Sequence, residues 1–204
     1  MIRYYFKLKE ITANSLSSII LLLLFSLLSR PLLGQQQMPD EDFKEQFRQA
    51  ILNADQFEDR FAAQVWLTDM SFRLAERAPH IPENERLELL SLVHKEATRS
   101  QLNPQMVLSL IQIESNFDRF AISKVGARGL MQIMPFWIEV IGREQDNLFD
   151  IATNLRYGCT ILSIYMAREK KELIPALARY HGSYPRDYYS QKVIKAWQNR
   201  WQYY

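Results

Sequence analysis

The sequence predicts an all-α domain, and three observations support this prediction. Apolar residues recur at three- and four-residue spacing along most of the chain beyond residue 34, as expected for helices with one buried face. Strand-like alternation of apolar and polar residues is rare. Glycine is scarce, with only Gly34 before residue 126. The exception is the segment 118–134, which holds Gly126 and Gly129 and is expected to form a loop or small β-ribbon insert.

The helices follow one another with recognisable boundaries. Asn103 followed by Pro104 is typical of an N-cap and a first helical position, so a helix is expected to run from there to Glu114. Gly182 to Pro185 predicts a turn before the last helix. The other helices are predicted over 42–53, 56–77, 83–100, 135–141, 150–171, 174–179 and 188–201.

The first 34 residues differ in composition from the rest. Three basic residues precede an uncharged apolar run over 16–28, and a polar segment begins at Gln35. This layout is typical of a secretory signal peptide, because the run is shorter than the ~20 residues of a membrane-spanning helix. The mature chain is therefore expected to begin near Gln35. An uncleaved membrane anchor is the alternative, since Leu32 is bulkier than the residue usually found before a cleavage site.

Three parts are expected: a signal peptide or anchor at 1–34, an amino-terminal helical extension at 35–82 and a main helical domain at 83–204. Removing 1–34 leaves 21 basic and 22 acidic residues, a net charge of −1, which argues against nucleic acid as a partner. The remaining length of about 170 residues is enough for one hydrophobic core.

Metal binding and disulfide chemistry are not expected. The single cysteine, Cys159, lies in an apolar helical pattern and is predicted to be a small buried hydrophobic residue. The three histidines, His80, His94 and His181, are scattered and lack the spacing of metal ligands. No cofactor is expected either.

The strongest candidate for chemistry is Glu114, at the end of an apolar helix. Ile111, Ile113 and Phe117 surround it in sequence, and partial removal from water favours the neutral, proton-donating form of a carboxyl group. Glu114 is therefore predicted to be a general acid. Asp118 stands beside a basic residue at the start of the loop and is interpreted as a solvated or capping residue.

Three motifs stand in order along the chain: ESxF at 114–117, GLMQxMP at 129–135 and AxY at 178–180. Together they resemble the lytic transglycosylases of the soluble (SLT) type, and the resemblance covers about residues 83 to 197. It implies a goose-lysozyme-like helical fold. It also implies cleavage of the β-1,4 bond between N-acetylmuramic acid and N-acetylglucosamine in peptidoglycan. The helical segment 43–79 is consistent with the amino-terminal extension of a small exported subgroup of that family.

The resemblance assigns roles to individual residues. It implies that Glu114 is catalytic, that Ser123 hydrogen-bonds near the acid, and that Gln132 and Met134 face the sugar. Methionine at this spacing is also a common core residue.

At the third motif, Tyr180 matches a tyrosine whose hydroxyl points towards the acid. His181 stands where asparagine commonly follows that tyrosine, and it is expected to contact substrate as a donor or acceptor. The aromatic residues near the carboxyl end are interpreted mainly as packing residues of the last helix: Tyr184, Tyr188, Tyr189, Trp197 and Trp201.

The number of candidate carboxylates bears on the kind of reaction. Glycosidases usually need two, roughly 5 Å apart for retention or roughly 6.5 to 9.5 Å apart for inversion. Only Glu114 has an apolar setting, and an enzyme with one carboxylate must obtain its nucleophile from the substrate. The resemblance implies that this nucleophile is the 6-hydroxyl of muramic acid, which closes a 1,6-anhydro ring. A hydrolytic muramidase and a catalytically silent peptidoglycan-binding protein are the alternatives.

The expected location is the periplasm or cell envelope, and the expected partners are glycan strands and proteins of envelope complexes. Membrane contact is expected only if the amino-terminal segment is uncleaved.

Overall fold

The structure is a computed structural model that describes residues 60–202. Within this range it contains seven α-helices and one π-helical turn, the latter at Trp197–Trp201. The α-helices are α1 Arg60–Arg77, α2 Glu83–Arg99, α3 Pro104–Glu114, α4 Phe136–Ile141, α5 Ile151–Arg168, α6 Leu173–His181 and α7 Tyr188–Ala196. The all-α prediction is confirmed for this part of the chain. The apolar run 16–28, the helix predicted over 42–53 and the start of the helix predicted over 56–77 lie outside the described residues.

Side chains cap two helices, α3 at the position that the sequence predicts and α5 at Asp150, where the sequence predicts only the start of a helix. The Asn103 side chain accepts a hydrogen bond from the Met106 amide at 3.0 Å, with Pro104 at the first helical position. At α5, Asp150 accepts a hydrogen bond from the amide of Thr153 at 2.8 Å. Such caps satisfy amide groups that have no partner inside the helix, and each contributes about 1 kcal/mol. They therefore fix where α3 and α5 begin.

Helix α3 forms the centre of the described domain. Its residues from Met106 to Ile111 are all buried. It packs against α2, against α7 and against the π-helical turn, while α5 packs against α2 and α6. The carboxyl end of α3, which carries Glu114, is consequently held beside the last helix of the chain.

The end of the chain differs from the single helix predicted over 188–201. The α-helix stops at Ala196 and the backbone continues as a π-helical turn. Trp201 is fully buried, its Nε1 donates to Oε1 of Gln112 at 2.9 Å, and its ring lies 5.6 Å from that of Phe117. A π turn adds a residue per turn, which changes the direction of the side chains that follow. Amphipathic spacing alone does not reveal this change.

The insert between α3 and α4 contains turns and two isolated antiparallel bridges, Ile122 with Arg128 and Arg128 with Ile133. No strand forms among the described residues, so the β-ribbon is limited to these bridges. Gly129 has a φ of +74°, and a Cβ atom there would lie 2.4 Å from Nδ2 of Asn154. Only glycine fits this position without displacing its neighbours.

Two further expectations concern single features. Cys159 is fully buried and unpaired, which confirms its interpretation as a small core residue. Within residues 60–202, no helix combines the length and the apolar character needed to cross a membrane.

Candidate active site

Glu114 is the last residue of α3 and is partly buried. The chain turns sharply after it, because Asn116 and Phe117 both have positive φ, at 53° and 67°. Such left-handed conformations are unfavourable for residues other than glycine and persist where packing enforces them. Here the buried ring of Phe117 packs against Trp201. The direction of the loop beyond the acid is therefore set by the core.

Tyr189 donates a hydrogen bond from its hydroxyl to Oε1 of Glu114. Burial raises the pKa of Glu114 from its ordinary 4.5 to about 7, and the hydrogen bond from Tyr189 opposes this rise without cancelling it. At neutral pH, a substantial fraction of Glu114 carries a proton. The predicted general acid thus has the protonation behaviour that acid catalysis needs.

The sequence interpretation of Tyr189 as a packing residue is incomplete. Tyr189 is 3% exposed and Val193 on the same face of α7 is fully buried, whereas Tyr188 and Lys192 are exposed. A buried tyrosine generally finds a partner for its hydroxyl. The signal was the spacing of Tyr189 and Val193, which puts both on the buried face of an amphipathic helix. The identity of the partner, Glu114, depends on the tertiary fold.

Tyr180 requires a correction. Its hydroxyl donates to the backbone carbonyl of Met131 at 2.7 Å rather than pointing to Glu114 as expected. The ring is fully buried, and the charge of the nearby Glu114 adds to burial in raising the pKa of Tyr180. Tyr180 therefore ties α6 to the insert next to the acid, and its contact with substrate remains a prediction.

His181 lies against the tyrosines of α7. Its ring is stacked on Tyr189, with centroids 4.1 Å apart and planes at 10°, and it meets Tyr188 edge-on at 5.9 Å. Nδ1 of His181 is buried and has no hydrogen-bond partner among the described residues. Burial, together with the positive charge of Lys192, lowers the pKa of His181. The neutral imidazole is therefore favoured.

The polar side chains predicted to contact sugar are engaged within the insert. Oγ of Ser123 accepts a hydrogen bond from the Ala127 amide at 3.0 Å. Nε2 of Gln132 donates to the carbonyls of Ala121 at 3.2 Å and Gly129 at 3.0 Å. Gln132 also has a positive φ of 51°. Both side chains stabilise the loop geometry, and their contacts with substrate remain predictions.

The side chain of Asn154 on α5 forms hydrogen bonds with the backbone of the same insert. Its Oδ1 accepts from the Met131 amide at 2.8 Å, and its Nδ2 donates to the carbonyls of Arg128 at 2.9 Å and Leu148 at 2.7 Å. Asn154 is 1% exposed, so these bonds satisfy an otherwise costly buried amide. The insert is thus anchored at two backbone points, and the segment before α5 is anchored at a third.

The two methionines of the GLMQxMP motif differ in accessibility. Met131 is fully buried, and a Cβ atom added at Gly158 would lie 2.3 Å from its sulfur. Met134 retains 8% exposure. Met131 is a core residue, whereas the role of Met134 at the sugar remains a prediction.

Asp118 is exposed, and its Oδ1 accepts a hydrogen bond from the Phe120 amide at 2.8 Å. This agrees with its interpretation as a solvated capping residue. In the part of the chain that the structure describes, no group of three or more His, Cys, Asp or Glu side chains is placed to hold a metal ion.

Comparison with known proteins gives matches to transglycosylases. The model of the Transglycosylase SLT domain family matches residues 91–192. The membrane-bound lytic murein transglycosylase F of Desulfosudis oleivorans is 32% identical over 120 residues, 54% of this chain and 26% of that protein. The membrane-bound lytic murein transglycosylase C of Mannheimia succiniciproducens is 33% identical over 96 residues, 43% of this chain and 27% of that protein. The chain thus spans about a quarter of the length of these relatives.

Among solved structures, an inactive mutant of the lytic transglycosylase Slt from Pseudomonas aeruginosa matches with a TM-score of 0.43 and 18% identity. The match covers 84% of this chain and 36% of that chain.

The family match spans half of the 204 residues and includes Glu114, Tyr180, Tyr189 and the insert between them. The chain belongs to the Transglycosylase SLT domain family.

Proposed function

We propose that this protein is a peptidoglycan lytic transglycosylase that cleaves the β-1,4 bond between N-acetylmuramic acid and N-acetylglucosamine without water. The observation that carries the proposal is the setting of Glu114. Its burial raises its pKa to about 7, and its hydrogen-bond partner is the neutral phenol of Tyr189. Membership of the SLT family and the names of the two relatives support the same activity.

In the proposed first step, Glu114 donates its proton to the glycosidic oxygen as the bond from that oxygen to C1 of N-acetylmuramic acid breaks. The resulting N-acetylglucosamine end leaves as an alcohol. The positive charge that develops at C1 is stabilised by the substrate's own N-acetyl group. Glu114 is then a carboxylate, still held by the hydroxyl of Tyr189.

In the proposed second step, the Glu114 carboxylate takes the proton of the 6-hydroxyl as that oxygen bonds to C1. This closes the 1,6-anhydro ring and returns Glu114 to its protonated form, so one carboxyl group serves as acid and base in turn. A pKa of about 7 suits both roles near neutral pH. The exposed setting of Asp118 supports a mechanism without a second carboxylate.

The test is analysis of the products released from purified sacculi by the full-length protein. We expect mass spectrometry to show muropeptides that end in 1,6-anhydro-N-acetylmuramic acid. These have one water fewer than hydrolytic products and resist borohydride reduction. The matched control is Glu114→Gln, which keeps the side-chain shape and removes the transferable proton.

The two alternatives give different results in the same experiment. Reducible ends as the main product would identify a hydrolytic muramidase and overturn the closing step. No release of muropeptides, combined with binding of the protein to sacculi in a pull-down, would identify a catalytically silent glycan-binding protein.

The same proposal places the protein in the cell envelope, exported through the segment 1–34. The composition of that segment and the names of both relatives, which describe them as membrane-bound, support this location. Mass measurement of the protein recovered from cells tests cleavage. A chain beginning near Gln35 is expected, and recovery from membranes with Met1 retained would instead favour an anchor.

A further inference from the structure

His181 is connected to Glu114 through two consecutive contacts. Its ring is stacked on Tyr189 at 4.1 Å with nearly parallel planes, and the hydroxyl of Tyr189 donates to Glu114. A ring stacked face to face limits the tilt of its neighbour, because tilting would separate the surfaces or bring atoms into overlap. The position of His181 thus restricts the direction of the Tyr189 hydroxyl.

Nδ1 of His181 is poorly placed for the hydrogen-bonding role expected from the sequence. Nδ1 is buried and has no hydrogen-bond partner among the described residues. A donor or acceptor on a bound glycan reaches such an atom only if the surrounding residues move. The observed contacts of the imidazole are ring contacts, with Tyr189 on its face and Tyr188 at its edge.

We propose that His181 is a positioning residue, whose imidazole holds the Tyr189 ring so that the tyrosine hydroxyl remains directed at Glu114. The kinetic consequences of this proposal rest on the proposed function. The charged and titratable groups around the imidazole are Lys192 of the same helix as Tyr189, the hydroxyls of Tyr188 and Tyr189, and Glu114 beyond them. The proposal requires the flat ring and does not require its nitrogen atoms.

Three substitutions separate a ring from a hydrogen-bonding group. His181→Phe keeps a flat ring, His181→Asn keeps polar atoms and restores the residue common in the family motif, and His181→Ala removes both. With sacculi as substrate, we expect His181→Phe to retain activity within about twofold of the original protein. The other two should lower kcat about tenfold with little change in KM, because misplacing the acid weakens the chemical step rather than binding.

A double substitution tests whether His181 acts through Tyr189. In the Tyr189→Phe background the hydroxyl is absent, so adding His181→Ala should lower kcat by less than about twofold further. A full tenfold additional loss would overturn the proposal. So would a His181→Asn protein as active as the original, or a His181→Phe protein with a strongly raised KM, since both outcomes would assign a hydrogen-bonding contact with substrate.

A measurement without substrate keeps this proposal separate from the proposed function. In protein labelled at Cζ of tyrosine, the carbon-13 resonance of Tyr189 should shift as Glu114 ionises, and the shift should be absent in Glu114→Gln. We expect His181→Phe to retain this shift and His181→Ala to lose most of it. Retention of the full shift in His181→Ala would overturn the positioning role. If His181→Ala does not fold, as judged by its thermal transition, His181→Asn takes its place in the comparison.

Absence of muropeptide release by the original protein would count against the proposed function alone. The carbon-13 measurement would still decide the role of His181, because it reports the contact between Tyr189 and Glu114 directly.

Discussion

Glu96 and Glu114 lie on successive helices and are both withdrawn from solvent, but their surroundings differ. Glu96 is 5% exposed and forms an ion pair with Arg99, with Oε2 and Nε 2.6 Å apart. Arg99 also donates to the hydroxyl of Thr160 on α5 at 2.5 Å. Glu114 accepts a hydrogen bond from Tyr189 and, within the described residues, forms no ion pair.

The difference shows how one residue type serves two purposes. The ion pair of Glu96 and Arg99 lies within α2, and the guanidinium of Arg99 also connects this helix to α5 through Thr160. Burial of the Glu114 carboxyl group instead favours its neutral form, so its pKa rises even though the hydrogen bond from Tyr189 opposes the rise. The first arrangement supports the fold, and the second can deliver a proton.

The largest expected effect is on activity, and it belongs to Glu114. Glu114→Gln should lower the release of muropeptides by a factor of roughly 100 or more, because the side chain no longer carries a transferable proton. Asp118→Asn, a change of the same kind at an exposed carboxylate, is the control and should keep most of the activity. An equally deep loss in Asp118→Asn would indicate a two-carboxylate hydrolase.

The second effect distinguishes them by stability. Glu96→Gln removes the charge that compensates Arg99 and should lower the free energy of unfolding by about 3 kcal/mol. Urea denaturation of the full-length protein measures this change. A decrease in the free energy of unfolding below about 1 kcal/mol would mean that the ion pair contributes little to the stability of the fold.

The third effect is a dependence of stability on pH that belongs to Glu114. Its pKa is about 7 in the folded protein and 4.5 when unperturbed, so the folded state binds the proton more tightly. Stability is therefore lost as pH rises from about 4.5 to 7, by up to about 3 kcal/mol. Glu114→Gln lacks this loss and should be more stable than the original protein at pH 8, with little difference at pH 4. Urea denaturation of both proteins at pH 4 and at pH 8 measures this change. If the pKa of Glu114 were unperturbed, the difference in free energy of unfolding between the two proteins would be the same at both pH values.

The smallest effect concerns the hydrogen bond itself. Tyr189→Phe removes a contact that lowers the pKa of Glu114, so this pKa should rise and activity should persist to higher pH on the alkaline side. We also expect kcat to fall about tenfold, because the carboxyl group loses its orienting partner. A pH profile of kcat/KM measures both changes. If the alkaline side of the kcat/KM profile were unchanged, Tyr189 would have no effect on the pKa of Glu114.

The sequence predicted the features that depend on neighbours along the chain. The cap at Asn103, the end of α3 at Glu114 and the apolar setting of that acid all follow from local pattern, and the structure has each of them. Gly129, within the segment expected to form the insert, takes the positive φ that glycine favours, although only isolated bridges form there.

The features that the sequence missed depend on distant contacts. Tyr180 and Tyr189 are both buried, and no local pattern states which hydroxyl meets Glu114 and which meets the Met131 carbonyl. That choice is made where α6 and α7 pack against the end of α3. The π-helical turn was missed for a similar reason, since burial of Trp201 against Gln112 and Phe117 requires the assembled core.

The most direct test of this account is titration of the Glu114 carboxyl group. Carbon-13 NMR of glutamate carboxyl carbons identifies its resonance as the one missing in Glu114→Gln. We predict a midpoint of about 7. A midpoint near 4.5 would show that Glu114 is ionised at neutral pH and would contradict its role as a proton donor.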